Sequence, residues 1–293
     1  MRHTSAIAAA ALAVSVVGSF GGCSSLSQTT IVPETLQTAS VDEDACAAVA
    51  DLDHDLKVAN YNIKSGIWTS LDKVEAVLKD LDADVVALEE VDRNMHRSGN
   101  VDQAAVLAKK LHASHVFVGA WDDDKGSYGI ALLSRLPIVS ATRVDLPRAN
   151  GFEPRVAIDA VVCAGKTPVR IVSTHTDFLP WAAAAQAEAI ATRVDGDEGV
   201  VVLGDFNAKP GEAGLSAVVA KRNDALALFD EGPTFPGFSS RLDHILTGRT
   251  VKAAKRIVNP ASDHFAVTAT IELLQNKTTL ASSTTTPTAA TQN

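Results

Sequence analysis

Acidic, amide and imidazole side chains follow strand-like apolar runs at three places in the C-terminal half of the chain. Asp205 and Asn207 end one run, Asp243 opens another, and Asp263 and His264 precede a third. Because side chains alternate faces along a strand, Asp205 and Asn207 can point the same way from its C-terminal end. Carboxylate and amide oxygens suit hard divalent cations, and imidazole suits proton transfer near neutral pH. The pattern predicts one site that combines metal binding with acid–base chemistry.

Two periodicities predict the elements that position these residues. Apolar residues at helical spacing predict helices at 71–81, 102–111 and 180–194. Apolar or alternating runs predict strands at 56–63, 84–89, 116–120, 128–134, 138–146, 155–163, 169–174, up to Asp205, 242–246, 252–258 and 265–273. Helices early and late, with a run of strands between them, predict an α/β fold of two packed sheets covered by helices.

The N-terminal segment has the composition of an export signal. Residues 1–22 begin with Arg2, continue through an apolar stretch and end in small residues, which predicts a signal peptide. The run around Cys23 resembles a bacterial lipobox, although Phe20 stands where leucine is usual. We expect lipidation at Cys23, with simple cleavage nearby or an uncleaved anchor as alternatives. Each of them predicts an exported protein.

The remaining chain divides into one domain and two flanking segments. Residues 23–52 lack apolar periodicity and predict a tether, and residues 53–275 form the predicted domain. Residues 276–293 are almost entirely Thr, Ser, Ala and Pro with Gln and Asn, which predicts a disordered tail. We expect a monomer.

Charge and cysteine usage restrict the partners and the redox state. The formal net charge is −9, and the sequence shows no block of Lys and Arg interleaved with aromatics, so nucleic acid is a disfavoured partner. Export makes a disulfide between Cys46 and Cys163 possible. The alternative is two isolated thiols that pack as small hydrophobes.

Seven motifs in order along residues 55–273 resemble the endonuclease/exonuclease/phosphatase superfamily. They are Asn60-Tyr61-Asn62-Ile63, Leu88-Glu89-Glu90-Val91, Tyr128-Gly129-Ile130-Ala131-Leu132-Leu133-Ser134, Ser173-Thr174-His175-Thr176-Asp177, Gly204-Asp205-Phe206-Asn207, Leu242-Asp243-His244-Ile245 and Ser262-Asp263-His264. The resemblance implies a four-layered α/β sandwich of two mixed sheets flanked by helices, the DNase I-like fold. It also implies hydrolysis of a phosphoester that depends on a divalent metal.

The resemblance assigns metal contacts to Glu90, Asn62 and Asp263, with Mg²⁺ as the expected ion and Mn²⁺ as a substitute. Neighbouring residues in a strand face opposite ways, so we expect only one of Glu89 and Glu90 to enter the site. The family pattern favours Glu90 and leaves Glu89 as a solvated or capping acid. Asn62 has an alternative role in stabilising the turn that follows it.

The same resemblance gives catalytic roles to five residues. His264 is the general base or a hydrogen-bond donor to the transition state, and Asp243 pairs with it. Asp205 orients or deprotonates the attacking water. Asn207 donates to a phosphoryl oxygen, and His175 stabilises the phosphate or assists the leaving group, although a histidine at a strand end is often structural.

Two further positions have a substrate-side and a structural interpretation. Arg155 matches a family position near the substrate phosphate, and a surface salt bridge explains it nearly as well. The segment Phe178-Leu179-Pro180-Trp181 follows His175 and forms either an apolar lip over a lipid head group or sugar, or a staple at the entry to a helix.

The sequence therefore predicts an exported phosphoesterase whose substrate is a phospholipid, an inositol phosphate or another small phosphoester. A secreted nuclease is the alternative within the same enzyme class. A catalytically silent surface lipoprotein that binds a partner is the alternative from another class.

Overall fold

Two six-stranded sheets pack face to face in the computed structural model, which describes residues 43–123, 125–148, 153–230 and 232–273. The strands are β1 Leu56–Asn62, β2 Val85–Arg93, β3 Ser114–Asp122, β4 Ser127–Ser134, β5 Ile138–Asp145, β6 Val156–Ala164, β7 Thr167–His175, β8 Val201–Asp205, β9 Asn223–Asp224, β10 Asp243–Thr247, β11 Val251–Ile257 and β12 Ala266–Ile271. The first sheet has the order β11-β12-β1-β2-β4-β3, and the second has the order β5-β6-β7-β8-β10-β9.

Helices cover the outer face of each sheet. They are α1 Leu71–Leu81, α2 Gln103–Leu111, α3 Pro180–Arg193 and α4 Ala213–Val219, whereas the short α5 Ala225–Phe229 contributes Ala225 and Leu226 to the central core. Apolar residues of α1 and α2 pack with the outer face of the first sheet, and those of α3 and α4 pack with the second. Inward-facing residues of both sheets form the central core, as Val58 and Val85 do from the first sheet and Ile171 and Ile245 from the second. The predicted four-layered sandwich is confirmed.

Local sequence signals account for where the helices begin and end. Ser70 caps α1 by accepting a hydrogen bond from the backbone N–H of Lys73, and the helix stops at Asp82, which has a left-handed backbone (φ 46°). Pro180 occupies the first turn of α3, where its missing N–H has no partner to lose. Within the described residues, no helix is both long and apolar enough to cross a bilayer.

Parallel strand pairs bring polar side chains to one edge of each sheet. β1 runs parallel to β2, and β7 runs parallel to β8, so the carboxyl ends of each pair lie together. The two edges meet, because Asn62 at the end of β1 donates a hydrogen bond to Asp205 at the end of β8 (3.1 Å).

Short elements between β8 and β10 escape the sequence-based prediction. The sequence predicts no regular structure between Asp205 and residue 242, yet α4, β9 and α5 lie there. Helices of seven and five residues are too short for apolar periodicity to reveal them.

The packed domain begins before the predicted boundary at residue 53. A short 3-10 helix at Glu43–Cys46 lies within the predicted tether, and its buried Cys46 forms a disulfide with Cys163 in β6. The Cα atoms of the pair are 5.4 Å apart, which is ordinary disulfide spacing. The tether prediction is wrong for residues 43–52 because this covalent link holds them to the second sheet. Residues 1–22, 23–42 and 276–293 lie outside the described residues, so their predicted roles stay predictions.

Reduction of the Cys46–Cys163 disulfide should destabilise the domain. The bond joins residues 117 positions apart, and cross-links that close long loops restrict the unfolded chain most. We expect reductant to lower the free energy of unfolding by about 3 kcal/mol, measured by urea denaturation. A Cys46→Ala/Cys163→Ala variant should show no response to reductant. An unchanged urea midpoint for the reduced wild-type protein would contradict a stabilising bond.

Candidate functional site

A line of buried acids and an imidazole lies where β8, β10 and the start of β12 meet. Asp243 at the start of β10 pairs in register with Asp205 at the end of β8. Asp243 Oδ2 is 2.8 Å from Nδ1 of His264, and His264 Nε2 is 3.6 Å from Oδ2 of Asp205. All three side chains are almost completely buried. The imidazole therefore lies between two carboxylates.

The two carboxylates control the protonation of His264. Burial alone would lower the pKa of His264, but the negative charges of Asp243 and Asp205 raise it to about 10. Burial raises the pKa of Asp205 to about 6, and Asp243 adds to this while His264 opposes it. Near neutral pH, His264 is thus a cationic hydrogen-bond donor. The ring of Phe235 lies 4.8 Å from the imidazole ring and covers it.

His175 lies at the end of β7 and is held in its neutral form. Burial lowers the pKa of His175 well below its usual value, and the charges of Arg155, His264 and Lys64 act in the same direction. Nη1 of Arg155 is 3.1 Å from His175 Nδ1. A guanidinium only donates, so this contact makes Nδ1 an acceptor, while the amide nitrogen of Asn207, also a donor, faces Nε2 at 3.2 Å. Nε2 is 3.7 Å from Asp205 Oδ2, so this nitrogen faces the same space as His264.

Asn207 supplies a second donor at that position. Its Nδ2 lies 3.2 Å from His175 Nε2 and donates one hydrogen to the carbonyl of Thr176 (2.9 Å). An amide nitrogen only donates, so its second hydrogen is available to the imidazole nitrogen or to an oxygen that replaces it there. Asn207 is therefore a hydrogen-bond donor at this position.

A turn, rather than strand alternation, directs Asn207 toward Asp205. β8 ends at Asp205, and Asn207 has a left-handed backbone (φ 46°). Its backbone N–H donates to Asp205 Oδ1 (2.9 Å), which fixes the turn. The two residues do reach the same site, but the expectation that they lie on one face of a strand is wrong.

Arg155 is buried rather than exposed. Its side chain is 7% exposed, and Nη1 also lies 3.4 Å from Glu153. Its Nε is buried without a hydrogen-bond partner within the described residues. The expected surface salt bridge is therefore wrong, because the guanidinium is buried and contacts His175 as well as Glu153.

A β-bulge brings Glu90 into the site. The pairing of β2 with β4 shifts between Leu88 and Val91, and Glu90 has a left-handed backbone (φ 54°). Asn62 Nδ2 donates to Glu90 Oε1 and to Asp205 Oδ2, both at 3.1 Å. The amide of Asn62 therefore links Glu90 of the first sheet to Asp205 of the second sheet.

Asn62 also holds the turn that follows β1. Its Oδ1 accepts from the backbone N–H of Lys64 (3.1 Å). This is the turn-stabilising role that the sequence left open. The metal-binding role remains a prediction, and the turn already uses one lone pair of the amide oxygen.

Glu89 enters the site as well, which overturns the expectation that only one of the pair does. Glu89 pairs in register with Asn62, and the bulge places the Glu90 carboxylate beside Asn62 as well. Glu89 is completely buried, and neither carboxylate oxygen has a hydrogen-bond partner within the described residues. Burial, with the charges of Asp243 and Asp205, raises its pKa well above the usual value. Glu89 is therefore a buried acid with a raised pKa and not a solvated or capping one.

Glu90 and Asp263 fit a hard cation. The Lys64 ammonium lies 3.2 Å from Asp263 Oδ2 and 3.9 Å from Glu90 Oε2, so a positive charge already occupies the space between them. Both carboxylates are about one-fifth exposed, which leaves room for water ligands. Glu90 and Asp263, with Asn62 beside them, are the residues that would hold a divalent ion.

A second group of possible ligands is already hydrogen-bonded internally. Among the described residues, the ligand atoms of Asp205, Asp243 and His264 lie within 4.8 Å of one another. The 2.8 Å contact between His264 and Asp243 is the length of a charge-assisted hydrogen bond. The trio is thus suited to hold a proton, and it lies next to the Glu90 position rather than at it.

Sequence reasoning missed four residues of this site. Asn60 donates to Asp243 (3.3 Å), and Lys64 contacts Glu90 and Asp263. Tyr128 is buried near Glu90. Burial raises the pKa of Tyr128, and the negative charge of Glu90 adds to this effect. Phe235 covers His264. Alternation along β1 could have found Asn60, because it lies two positions before Asn62. No local signal pointed to Phe235, which comes from a loop.

The remaining motif residues have structural roles. His244 is fully buried, with Nδ1 2.9 Å from Asp224 and Nε2 3.0 Å from the carbonyl of Ala208. His244 therefore links β10 to β9 and to the segment after β8. Trp181 and Phe178 are more than half exposed, and both the apolar lip and the helix-entry staple stay predictions.

Solved structures share this fold. The crystal structure of an endonuclease/exonuclease/phosphatase from Beutenbergia cavernae DSM 12333 is 23% identical, covering 75% of this chain and 72% of that one, with a TM-score of 0.64. A mannosyl-6-phosphatase from Bacteroides thetaiotaomicron VPI-5482 is 20% identical, covering 74% and 100%, with a TM-score of 0.59. The human Nocturnin catalytic domain with bound sulfate is 19% identical, covering 75% and 94%, with a TM-score of 0.60. At these identities the likeness shows the DNase I-like fold alone.

Sequence comparison supplies the family. No curated protein shows significant sequence similarity to this chain. The model of the Endonuclease/Exonuclease/phosphatase family matches residues 59–264, more than two thirds of the chain, and this range includes every motif described above. Enzymes of this family are hydrolases that typically depend on a divalent metal. The chain belongs to the Endonuclease/Exonuclease/phosphatase family.

Proposed function

We propose that the protein is an exported, lipid-anchored hydrolase that uses Mg²⁺ to cleave a small phosphoester, with a phospholipid as the leading substrate. One observation carries the hydrolase part of this proposal. A continuous chain of contacts joins Glu90 through Asn62 and Asp205 to His264, and both sheets contribute to it. Metal-binding acid, general base and cationic donor therefore share one cleft.

The side chains provide positive charge and donors for a phosphoryl group. A phosphoester carries negative charge that repels a nucleophile, so the site must offset it. Cationic His264, neutral His175 and the Asn207 amide lie around the Asp205 carboxylate. A phosphoryl oxygen beside Asn207 would accept from its amide nitrogen.

Asp205 is suited to handle the attacking water. Its carboxylate is fixed by the Asn207 backbone N–H and the Asn62 amide, which leaves it little freedom to rotate. Burial raises its pKa to about 6, nearer to the pH at which a general base works well. A Mg²⁺ ion held by Glu90 and Asp263 would supply Lewis-acid stabilisation of the phosphoryl oxygens.

Charge and exposed apolar groups favour a lipid substrate over a nucleic acid. The net charge of −9 gives no general attraction to a polyanion, and tight duplex binding uses about six or more phosphate contacts. Exposed aromatics lie instead close in sequence to site residues: Trp68 follows Lys64 and is 58% exposed, Trp181 in the first turn of α3 follows His175 and is 63% exposed, and Phe238 stacks on Phe235 and is 80% exposed. Such groups suit a substrate with an apolar portion.

A substrate panel tests the proposed function. Hydrolysis of a generic chromogenic phosphodiester with Mg²⁺ separates a catalyst from a protein that only binds. Sphingomyelin and phosphatidylinositol vesicles, inositol phosphates and plasmid DNA then separate the substrate classes. We expect vesicle substrates to give the highest kcat/KM. Preference for plasmid DNA would establish the nuclease alternative, and no turnover of any substrate would establish the non-catalytic one.

Replacing His264 or Asp205 by alanine should lower kcat by at least about 100-fold, because general acid–base groups contribute on this scale. The measurement is steady-state turnover of the chromogenic diester, with circular dichroism to show that the fold is intact. Exposed His96 supplies the control, since His96→Ala should retain full activity. Near-normal turnover in His264→Ala or Asp205→Ala would remove that residue from the mechanism.

Glu90→Gln should require much more Mg²⁺ for half-maximal activity, because an amide oxygen is a weaker ligand than a carboxylate. Glu89→Gln is the matched control. Glu89 is completely buried and its raised pKa favours the uncharged form, so an isosteric amide at this position should leave the Mg²⁺ titration close to that of the wild type. A larger shift for Glu89→Gln than for Glu90→Gln would reverse the assignment of the metal ligand.

Cys23→Ser should release the protein from the membrane fraction of the producing cell, because one lipid attachment residue carries the proposed anchor. The measurement is immunoblotting of separated membrane and soluble fractions. Continued membrane retention of Cys23→Ser would point to an uncleaved N-terminal anchor.

A further inference from the structure

Lys64 places a fixed positive charge at the position assigned to the metal. Its Nζ lies 3.2 Å from Asp263 Oδ2 and 3.9 Å from Glu90 Oε2, and its side chain is 39% exposed. The lysine and a divalent ion between the same two carboxylates would exclude each other by charge and by space.

The backbone that carries Lys64 is strained. Lys64, Ser65 and Gly66 have consecutive positive φ values of 49°, 52° and 60°. The left-handed conformation costs a non-glycine residue roughly 1–2 kcal/mol, so two in succession need support from their surroundings. Such a turn does not form by default.

A buried polar network provides that support. Asp92 accepts from Ser65 Oγ (3.2 Å) and from two nitrogens of Arg97 (2.7 and 2.9 Å). Gln103 donates to the carbonyl of Ser65 and accepts from the backbone N–H of Asp92 (2.9 Å). Asn62 accepts from the N–H of Lys64 itself. The turn is therefore held from three sides, with Lys64 directed at the two carboxylates.

We propose that Lys64 is a built-in counterion that keeps Glu90 and Asp263 together in the metal-free protein and is displaced when a divalent cation binds. This inference rests on the proposed metal position. Two facing carboxylates without a cation would repel, so the lysine preserves the site's geometry in the absence of metal. The same contacts weaken metal affinity, because each bound ion must replace the ammonium.

Calorimetry of the Lys64→Met variant tests the competition. Methionine keeps the unbranched chain and removes the charge, so Mg²⁺ should bind with a Kd about tenfold lower than in the wild type, the sum of two partly exposed ion pairs. Without metal, the variant should have a lower Tm than the wild type, and saturating Mg²⁺ should raise its Tm by more. Lys79→Met is the control, because Lys79 pairs with Glu75 on the surface of α1 (2.7 Å) and should leave the Mg²⁺ affinity unchanged.

An unchanged or weaker Mg²⁺ affinity in Lys64→Met would overturn the proposal. If the wild-type protein bound no divalent cation at all, the proposed metal dependence would fail together with it. If the wild type bound Mg²⁺ and Lys64→Met did not change the affinity, the counterion role would be contradicted and the proposed metal dependence would stand.

Acylation of the wild-type protein supplies a second test that needs no variant. The rate at which acetic acid N-hydroxysuccinimide ester modifies each lysine can be followed by mass spectrometry during a Mg²⁺ titration. Displacement predicts that Lys64 reacts several-fold faster at saturating Mg²⁺, while Lys79 does not change. A rate for Lys64 that stays constant or falls would show that the lysine remains between the carboxylates.

Discussion

Repulsion among carboxylates is the constraint on which this site depends. Glu89, Glu90, Asp205, Asp243 and Asp263 converge at one edge of the sandwich, and three of them are almost fully buried. Charges removed from water are costly unless they are neutralised or hydrogen-bonded. The local structure at this edge supplies each acid with a proton, a hydrogen-bond donor or a neighbouring cation.

The acids are neutralised in different ways, and these differences assign different chemistry to them. Burial and the neighbouring acids raise the pKa of Glu89, which favours its protonated form. Asp243 and Asp205 share the cation of His264. Glu90 and Asp263 face Lys64 and solvent, where a diffusible cation can enter. Within one cleft, the fully buried acids are therefore suited to hold protons, and the partly exposed acids are suited to bind a metal ion.

Backbone geometry makes these positions available. Asp205 and Asp243 face each other because β8 and β10 pair in register, and Asn62 joins them to the other sheet. Glu90 reaches the cleft through a β-bulge, and Asn207 through a left-handed turn. Residues with strained backbone torsions concentrate at functional sites because the surrounding packing can hold them there.

The sequence by itself determined the sheets, the three long helices and the family. Hydrophobic periodicity is local, so the predicted helix at 71–81 coincides with α1, and the order of the motifs carried the resemblance. It also identified the polar residues that meet in the cleft. Tertiary structure decided how they meet: the bulge that admits both Glu89 and Glu90, the burial of Arg155 against His175, and the disulfide that fixes Cys46. Bulges, burial and the pairing of distant residues depend on which strands lie side by side, and no local pattern of side chains encodes that.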